Sequence, residues 1–454
     1  MRKAKTIFLG VMLIGLFSVS SRSEPLEGSH VPIHIFFDLI HTDKAKRKAA
    51  SKQVSENWHD SYTPILIELL RVVHGSPKAN GIWKIIEKQT PGGFEQSMDR
   101  AFYWSWQNEY DPHPDYAAFK AIHYTRIDRR FFNYFDHHTE NATIRLDEIR
   151  WGGVVRDGIP PLNRPKMISA PEADYLKDSN IVFGVEINGD ARAYPKRILA
   201  WHEMFKDVIG GISINGVYCT LCGTVIVYKT EHKGIHHELG TSGFLYRSNK
   251  LMYDQATESL WNTLDGEPVV GPLVGQGIKL EPLYLVTTTW GEWKKRHPET
   301  SVLSLETGFR RDYGEGVAYN DYFSTDDIMF TTPFRDKRLK NKDEVFVLRF
   351  GRPFDEGRAY SVRHLKKKKI VHDTYGGTPY VLISDQSGAI RTYESGGHTF
   401  SYKRDILLDT NGSKWKLSEA HLSNENGETL QRLPSHRAFW FGWHAANPDT
   451  ELIK

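Results

Sequence analysis

The β-rich part of the fold is indicated by residues 181–194, which read IVFGVEINGDARAY. Two runs with strong β preference flank the turn Asn188-Gly189-Asp190, and this arrangement predicts a β-hairpin. Val225-Ile226-Val227-Tyr228 predicts another strand further along. Because Gly and Pro become frequent from about Trp151 onward, we expect a β-rich region to begin there.

Parts of this stretch recur near the carboxyl end of the chain. Arg192-Ala193-Tyr194 recurs as Arg358-Ala359-Tyr360, and Gly210-Gly211 recurs as Gly376-Gly377. The matches keep their order along the chain, which predicts two tandem, related β-rich modules at residues 151–328 and 329–454. The tryptophans that match between the copies are Trp290 with Trp440 and Trp293 with Trp443. Because they recur in both copies, we expect the tryptophans to pack in the core and the glycine pairs to serve backbone geometry.

Residues 24–150 predict a helical module. Thr63-Pro64 is a typical helix opening, and apolar residues follow on a broad face through residue 73. Residues 82–87, 98–106 and 115–132 have a similar helical character. The predicted fold class is therefore α+β, with a helical amino-terminal module followed by the two β-rich modules.

The first 23 residues have the pattern of a secretory signal peptide. Arg2, Lys3 and Lys5 precede a short apolar run at residues 6–17, and small residues then place a cleavage site near Ser23. The apolar run is too short to cross ~30 Å of hydrocarbon as a helix. We therefore expect an exported protein, periplasmic or extracellular, without stable membrane insertion.

Composition narrows the choice of partner. The chain has 454 residues, 59 Lys plus Arg and 56 Asp plus Glu, so its formal charge is only +3. No strong overall field favours nucleic acid, and the expected partner is a small molecule of unknown identity. With only 2 cysteines, a disulfide framework is excluded.

Both cysteines lie in one motif, Tyr218-Cys219-Thr220-Leu221-Cys222-Gly223-Thr224. A Cys-x-x-Cys turn brings two sulfurs to one point, and Trp201-His202-Glu203 lies just upstream. His202, Cys219 and Cys222 together predict a zinc or copper site with an open coordination position. Glu203 is a candidate ligand, a partner of His202 or a proton carrier, so that Glu203, Cys219 and Cys222 are the candidate catalytic residues.

Two other interpretations of the cysteines stay open. The pair can exchange between dithiol and disulfide, although no helix clearly follows Cys222 as in a thioredoxin-like unit. It can also be an inert disulfide formed on export, which would close a very small loop and stabilise the chain little.

Comparison of the two copies separates framework from function. The second copy has Ser384 and Ser387 where the first has Cys219 and Cys222, while Lys368 and Lys369 replace His202 and Glu203. The second module therefore lacks every soft ligand. We infer that the cysteines serve what the first module does, not what the fold needs.

Other polar residues downstream have structural interpretations. Arg247 and Asp254 can bind a polar ligand or pair with one another, and Ser242 lies in a tight turn without the context of a nucleophile. His232, His236 and His237 form a local cluster that is typical of a solvated loop.

A series of motifs occurs in fixed order along residues 192–261. The motifs are Arg192-Ala193-Tyr194-Pro195, Trp201-His202-Glu203, Asp207, Gly210-Gly211, residues 218–224, Ser242-Gly243, Met252-Tyr253-Asp254 and Ser259-Leu260-Trp261.

This series resembles domain of unknown function 3179, a family of exported and mostly bacterial proteins. The resemblance covers about residues 150–454 and implies export and one domain type centred on the Cys-x-x-Cys motif. Thr220 and Asp207 depart from the residues that many members have, which implies a subfamily with an added helical region. The resemblance assigns no reaction, so a site acting on a small molecule and a non-catalytic binding protein both stay open.

Overall fold

A computed structural model describes residues 30–90, 93–136, 138–348 and 357–454. The predicted signal peptide, residues 1–23, lies outside the described residues. Within the described part of the chain, no helix combines the length and apolar character that a membrane crossing requires.

The amino-terminal region is helical, as predicted. Thr63 and Pro64 lie in the first turn of a helix whose residues are almost all buried, and this helix is the centre of the region's core. The predicted run at residues 115–132 is divided, because a helix ends at Tyr124 and a short 3-10 helix follows at Arg129–Tyr134. The helices are α1 (Ile33–Asp38), α2 (Lys44–Glu56), α3 (Tyr62–Val73), α4 (Pro77–Gln89), α5 (Met98–Gln107) and α6 (Tyr116–Tyr124).

A buried ion pair joins this helical region to the first strand of the β-rich part. Glu68 on α3 accepts hydrogen bonds from Lys120 Nζ at 2.7 Å and from Tyr124 Oη at 2.6 Å. Lys120 also donates to the backbone oxygen of Ile149, and Arg71 donates to that of Trp151. Since Lys120 and Arg71 both donate to residues 149–151, and Lys120 is also paired with Glu68, these charges position α3 and α6 against the β-rich part.

The first β region spans residues 149–303, and the predicted hairpin at residues 181–194 is confirmed as two antiparallel strands. Three five-stranded sheets make up most of the region. Its elements are β1 (Ile149–Trp151), β2 (Leu162–Asn163), β3 (Met167–Ser169), β4 (Ile181–Ile187), β5 (Asp190–Pro195), α7 (Lys196–His202), β6 (Met204–Ile209), β7 (Ile212–Cys219), β8 (Thr224–Lys229), β9 (Glu231–His232), β10 (Ile235–His236), β11 (Leu239–Tyr246), β12 (Asn249–Asp254), β13 (Leu260–Asn262), β14 (Glu267–Val270), β15 (Pro282–Leu283), β16 (Val286–Thr289), α8 (Trp290–Arg296) and β17 (Ser301–Leu303).

A connecting segment leads to the second β region, which spans residues 344–453. The segment contains α9 (Asn320–Ser324). The second region's elements are β18 (Glu344–Leu348), β19 (Arg358–Ser361), α10 (Val362–Lys368), β20 (Ile370–Tyr375), β21 (Thr378–Ser384), β22 (Ile390–Glu394), β23 (Phe400–Lys403), β24 (Ile406–Asp409), β25 (Lys414–Leu417), β26 (His421–Asn424), β27 (Thr429–Gln431), β28 (Ser435–Phe439), α11 (Trp440–Ala446) and β29 (Glu451–Ile453).

One sheet in each β region has the same strand arrangement. Four strands follow the order β16-β4-β5-β17 in the first region and β28-β18-β19-β29 in the second, and the first sheet has a fifth strand, β3, beside β17. In both sets of four, the last neighbours pair in parallel and the other pairs are antiparallel. Trp293 donates to Thr300 Oγ1 at 2.8 Å, and Trp443 donates to Thr450 Oγ1 at 3.1 Å. These tryptophans are buried, so their predicted role in the core is confirmed.

The glycine pairs form the turns of equivalent hairpins. Gly210 and Gly211 have φ of 53° and 83°, while Gly376 and Gly377 have φ of 55° and 79°. Two successive residues with positive φ give the tight hairpin turn that matches strand twist, and glycine adopts it without steric cost. The predicted backbone role of these glycines is therefore confirmed.

Candidate functional site

The two cysteines lie at the end of the β7–β8 hairpin. Cys219 is the last residue of β7 and pairs with Thr224, the first residue of β8, so the Cys-x-x-Cys segment is the turn between them. Both cysteines are buried free thiols and approach one another to 2.5 Å. The strand geometry thus places the two sulfurs close enough to form a disulfide without rearrangement of the backbone.

The pKa values of the two neighbouring thiols are shifted in opposite directions. Burial alone raises the pKa of both thiols, since it disfavours the charged form. The Cys222 thiol nevertheless holds the pKa of Cys219 below its ordinary value, and Lys250 acts in the same direction. The pKa of Cys222 lies well above its ordinary value because of burial and its proximity to Cys219. Cys219 is therefore the sulfur that ionises first.

Glu203 lies beside this pair in a network of polar side chains. It ends α7 in the left-handed conformation, with φ of 55°, and its backbone nitrogen donates to Leu199. Its carboxylate accepts hydrogen bonds from Thr220 Oγ1 at 2.5 Å and from Tyr319 Oη at 3.1 Å, and it forms a buried ion pair with Lys250. Glu203 is thus held as a carboxylate between the cysteine turn and the connecting segment.

His202 faces other partners, although it precedes Glu203 directly. Its Nδ1 lies 2.9 Å from the backbone oxygen of Pro160, and its Nε2 lies 2.6 Å from Tyr313 Oη. Burial lowers its pKa, because the charged imidazolium is disfavoured there. To act as a metal ligand, one of these ring nitrogens would have to give up its hydrogen bond.

Clusters of metal-ligand side chains are absent from the described part of the chain. Across residues 30–90, 93–136, 138–348 and 357–454, no three His, Cys, Asp or Glu side chains gather in a way that could hold a metal ion. The metal site of His202, Cys219 and Cys222 therefore stays a prediction.

The cysteine turn is covered by two other parts of the chain. Tyr322 on α9 donates to the backbone oxygen of Leu221 at 2.6 Å. From the second β region, the Phe439 backbone nitrogen donates to the Cys222 oxygen at 2.7 Å, and Phe441 packs in the same apolar cluster. A Cβ added to Gly442 would lie 2.6 Å from Cys222 Cβ, which shows how closely α11 approaches the turn.

Strand register changes one counterpart that the sequence comparison assigned. Met204 pairs with Val217 in the first region, and Ile370 pairs with Ile383 at the equivalent place in the second. Two residues beyond Ile383 lies Asp385, so the register puts Asp385 rather than Ser384 at the position of Cys219. The second copy still has no thiol there, because its loop is one residue shorter and contains no cysteine.

Several polar residues have partners that the sequence did not indicate. Arg247 forms an ion pair with Glu148 and not with Asp254. Asp254 instead lies 3.1 Å from Nδ1 of His237, which is buried rather than part of a solvated loop. The tight turn predicted at Ser242 is wrong, because Ser242 is buried within β11; its role there is structural, since it donates to the Leu251 oxygen at 2.6 Å. Lys250, the ionic partner of Glu203, was missed because an isolated lysine in a strand carries no motif.

These features define the class of protein. It is an α+β protein with a buried Cys-x-x-Cys hairpin in the first of two β regions that share one sheet arrangement. The chain belongs to the family described as "Protein of unknown function (DUF3179)", whose profile matches residues 156–450. No curated protein and no solved structure matches the chain.

Proposed function

We propose that the protein is an exported thiol–disulfide protein in which Cys219 and Cys222 alternate between a dithiol and a disulfide. The observation that supports this most is the pair of buried thiols, 2.5 Å apart, whose pKa values are shifted in opposite directions. A thiol that ionises before its close neighbour is suited to act as the attacking sulfur in thiol–disulfide exchange. The expected substrate is a small molecule that carries a disulfide.

The exchange would take place in two balanced steps. The Cys219 thiolate attacks one sulfur of the substrate disulfide, forming a mixed disulfide and releasing the other sulfur as a thiolate. Cys222 then loses its proton and attacks the Cys219 sulfur. The intramolecular disulfide forms, the second substrate sulfur leaves as a thiolate and takes up a proton, and the protein dithiol has reduced the substrate.

Access to Cys219 requires local opening of the cover over the turn. Tyr322 and Phe439 lie over the two sulfurs in one apolar cluster, and both cysteines are almost fully buried. Local opening of this kind costs less free energy than global unfolding. We therefore expect slow exchange, limited by opening rather than by the chemistry of the thiols.

The test combines thiol titration with trapping. In the Cys222→Ser variant, Cys219 should accumulate as a mixed disulfide with oxidised glutathione, whereas the Cys219→Ser variant should not trap it. The wild-type protein should interconvert between dithiol and disulfide in a folded state when the ratio of reduced to oxidised glutathione is changed. If the wild-type pair stays oxidised until the protein unfolds, the exchange proposal is wrong.

A structural disulfide in a non-catalytic binding protein is the second candidate. It is favoured by one specific observation, since the Cys222 backbone oxygen accepts a hydrogen bond from Phe439 of the other β region. A disulfide there would stiffen the turn against which the second region packs. The same titration distinguishes the two, because a structural disulfide is inert to glutathione in the folded protein.

Binding of zinc or copper by the two sulfurs is a third proposal. The supporting observation is the proximity of two thiols, which are preferred ligands of both metals. Elemental analysis of protein purified without chelator would detect about one metal ion per chain, lost in a Cys219→Ser, Cys222→Ser double variant. Metal that is retained by the double variant would contradict this proposal.

We also propose that the chain is exported, with cleavage near Ser23, and that residues 151–328 and 329–454 are tandem copies of one module. Amino-terminal sequencing of the mature protein tests the cleavage site. The shared sheet arrangement supports the tandem copies. Separate expression of the two segments, followed by circular dichroism, would test whether each folds as a unit.

A further inference from the structure

The two β regions meet at two junctions built from equivalent elements. At the first, which we call the cysteine junction, β28 lies against β8 and α11 covers the cysteine turn. At the second, which we call the cavity junction, β16 of the first region lies against β22. There Thr288 Oγ1 lies 3.1 Å from Ser387 Oγ, in the loop that occupies the place of the cysteine turn. Each region thus covers the same loop of the other.

Each junction contains a cavity where a helix of one region ends beside a sheet of the other. At the cysteine junction, Ala446 and Asn447 at the end of α11 border a cavity of about 330 Å³. At the cavity junction, Arg296 and His297 at the end of α8 border a cavity of about 630 Å³. Arg296-His297 follow Trp293 at the same spacing as Ala446-Asn447 follow Trp443, so the two pairs hold equivalent positions. The larger cavity therefore has two strongly polar side chains where the smaller one has alanine and asparagine.

The floor of the larger cavity is a fixed carboxylate. Glu419 is buried, and Arg391 donates to both of its oxygens at 3.0 Å while Arg432 donates to Oε2 at 2.8 Å. Burial opposes ionisation of Glu419, but Arg391 and Arg432 hold its pKa well below the ordinary range. Asp385, the counterpart of Cys219, accepts from Arg391 at 2.9 Å and completes this network. The floor is thus charged, rigid and oriented before any ligand arrives.

A hydrogen-bonding gap lies directly above this floor. The Nε2 atom of His297 is buried and has no hydrogen-bond partner among the described residues, while Glu419 Oε1 lies 3.8 Å away. A hydroxyl group to one side of this pair, about 2.8 Å from each atom, would donate to Glu419 Oε1 and accept from His297 Nε2 in the tautomer that carries the proton there. The polar part of the cavity therefore fits a hydroxyl group.

The rest of the lining indicates the kind of molecule that carries the hydroxyl. Trp415 and the partly exposed Tyr402 supply aromatic surface. The other charges of the lining are balanced, because two cations face two carboxylates at the rim, so the lining selects for neither an anion nor a cation. These charged residues are Arg296, Lys416, Glu186 and Asp405.

We propose that the cavity junction binds a neutral molecule with several hydroxyl groups, of the saccharide class. One hydroxyl group bridges His297 and Glu419, and an apolar face of the ligand packs on the exposed ring of Tyr402. The volume of about 630 Å³ is within the usual range for small-molecule sites. This site is separate from the cysteines, so it does not depend on the thiol–disulfide proposal.

The experiment uses the mature full-length protein and an array of neutral and acidic oligosaccharides. Neutral saccharides should bind, and isothermal titration with the best of them should give one site per chain. The Arg296→Ala, His297→Asn double variant copies the residues of the other junction and should weaken binding at least tenfold, about 1.4 kcal/mol. The Lys295→Ala variant removes an exposed charge from the same helix and should bind as the wild type does.

Three results would overturn the proposal. The first is no binding of any neutral saccharide to the wild-type protein at millimolar concentration. The second is binding of acidic saccharides alone, which would assign the cavity to anions. The third is binding that the double variant retains in full, which would place the ligand elsewhere. Circular dichroism of the double variant distinguishes lost binding from lost folding.

Discussion

Replacement of Glu68 by glutamine should destabilise the helical region in a pH-dependent way. Burial alone would raise the pKa of this carboxyl, but the charges of Lys120 and Arg71 lower it from 4.5 to about 2. A difference of 2.5 units corresponds to about 3 kcal/mol of stabilisation, at about 1.4 kcal/mol per unit. Removing one member of a buried ion pair commonly costs about 3–5 kcal/mol, which agrees with this magnitude.

The sign of the pH dependence follows from the lowered pKa of Glu68. The stabilisation is fully present above the unfolded value of 4.5 and is lost as pH falls through about 2 in the folded protein. The difference in unfolding free energy between wild type and Glu68→Gln should therefore be about 3 kcal/mol at neutral pH and should shrink below pH ~4.5. Titrating groups outside this cluster affect both proteins alike and cancel in this difference. Burial lowers the pKa values of Lys120 and His123 and the charge of Glu68 opposes that lowering, so these two groups titrate differently in the variant.

Urea unfolding followed by circular dichroism at several pH values would measure this difference. The Glu56→Gln variant is the matched control, because its ion pair with Lys52 is exposed and should contribute under about 0.5 kcal/mol. A cost below about 1 kcal/mol for Glu68→Gln would refute the assigned role of the ion pair. A full cost that does not change with pH would refute the electrostatic origin.

Three further predictions concern the cysteine turn and the tryptophan pairs. Lys250→Met should raise the Cys219 pKa, because it removes a cation and leaves a buried carboxylate; thiolate absorbance against pH measures it, and an unchanged or lower value contradicts the reasoning. Gly223→Ala should destabilise the protein by roughly 1–3 kcal/mol, since its φ is 61° and a Cβ would lie 2.8 Å from a buried ring. Gly211→Ala, also with positive φ but without a neighbour within 4 Å, should cost less, and equal melting temperatures would show that the ring contact is unimportant. Trp293→Phe should cost about 2–4 kcal/mol in a denaturant titration, because it removes volume and a buried hydrogen bond, and a loss under about 1 kcal/mol would argue against its anchoring role.

Local patterns predicted the secondary structure well, and the reason is visible in individual elements. The hairpin at residues 181–194 and the helix that opens at Thr63-Pro64 both depend on turn chemistry and periodicity within a few residues. The same holds for Gly210-Gly211, whose positive φ values are a property of the turn itself. Features of this kind do not need the rest of the molecule to be known.

The site was harder to predict, because neighbours in sequence diverge in space. His202 and Glu203 are adjacent, yet α7 ends between them and the backbone turns into the left-handed conformation. Glu203 then faces the cysteine turn while His202 faces Pro160 and Tyr313. A shared site for the two was a reasonable expectation from proximity along the chain, but the helix end separates them.

The comparison of the two sequence copies correctly identified the cysteines as specific to the first copy, but it misassigned one counterpart. It found that the second region lacks the cysteines, but it placed Ser384 opposite Cys219, where the strand register places Asp385. The error arises because the shorter loop leaves the position of the deletion undetermined in the sequence. Only the pairing of Met204 with Val217 and of Ile370 with Ile383 fixes the register.

Asp385 at the position of Cys219 gives the two junctions different chemistry on one framework. At the cysteine junction, the loop carries two thiols beneath Phe439. At the cavity junction, the equivalent position carries Asp385, whose carboxylate accepts a hydrogen bond from Arg391. Arg391 also donates to Glu419, the floor of the cavity. Because each loop is covered by the opposite β region, a change that loosens the packing of the two regions would open both loops together. A disulfide between Cys219 and Cys222 needs no rearrangement of the backbone, so oxidation should leave this packing, and with it the proposed saccharide affinity of the cavity junction, unchanged. A difference in affinity between the reduced and the oxidised protein would refute this independence of the two junctions.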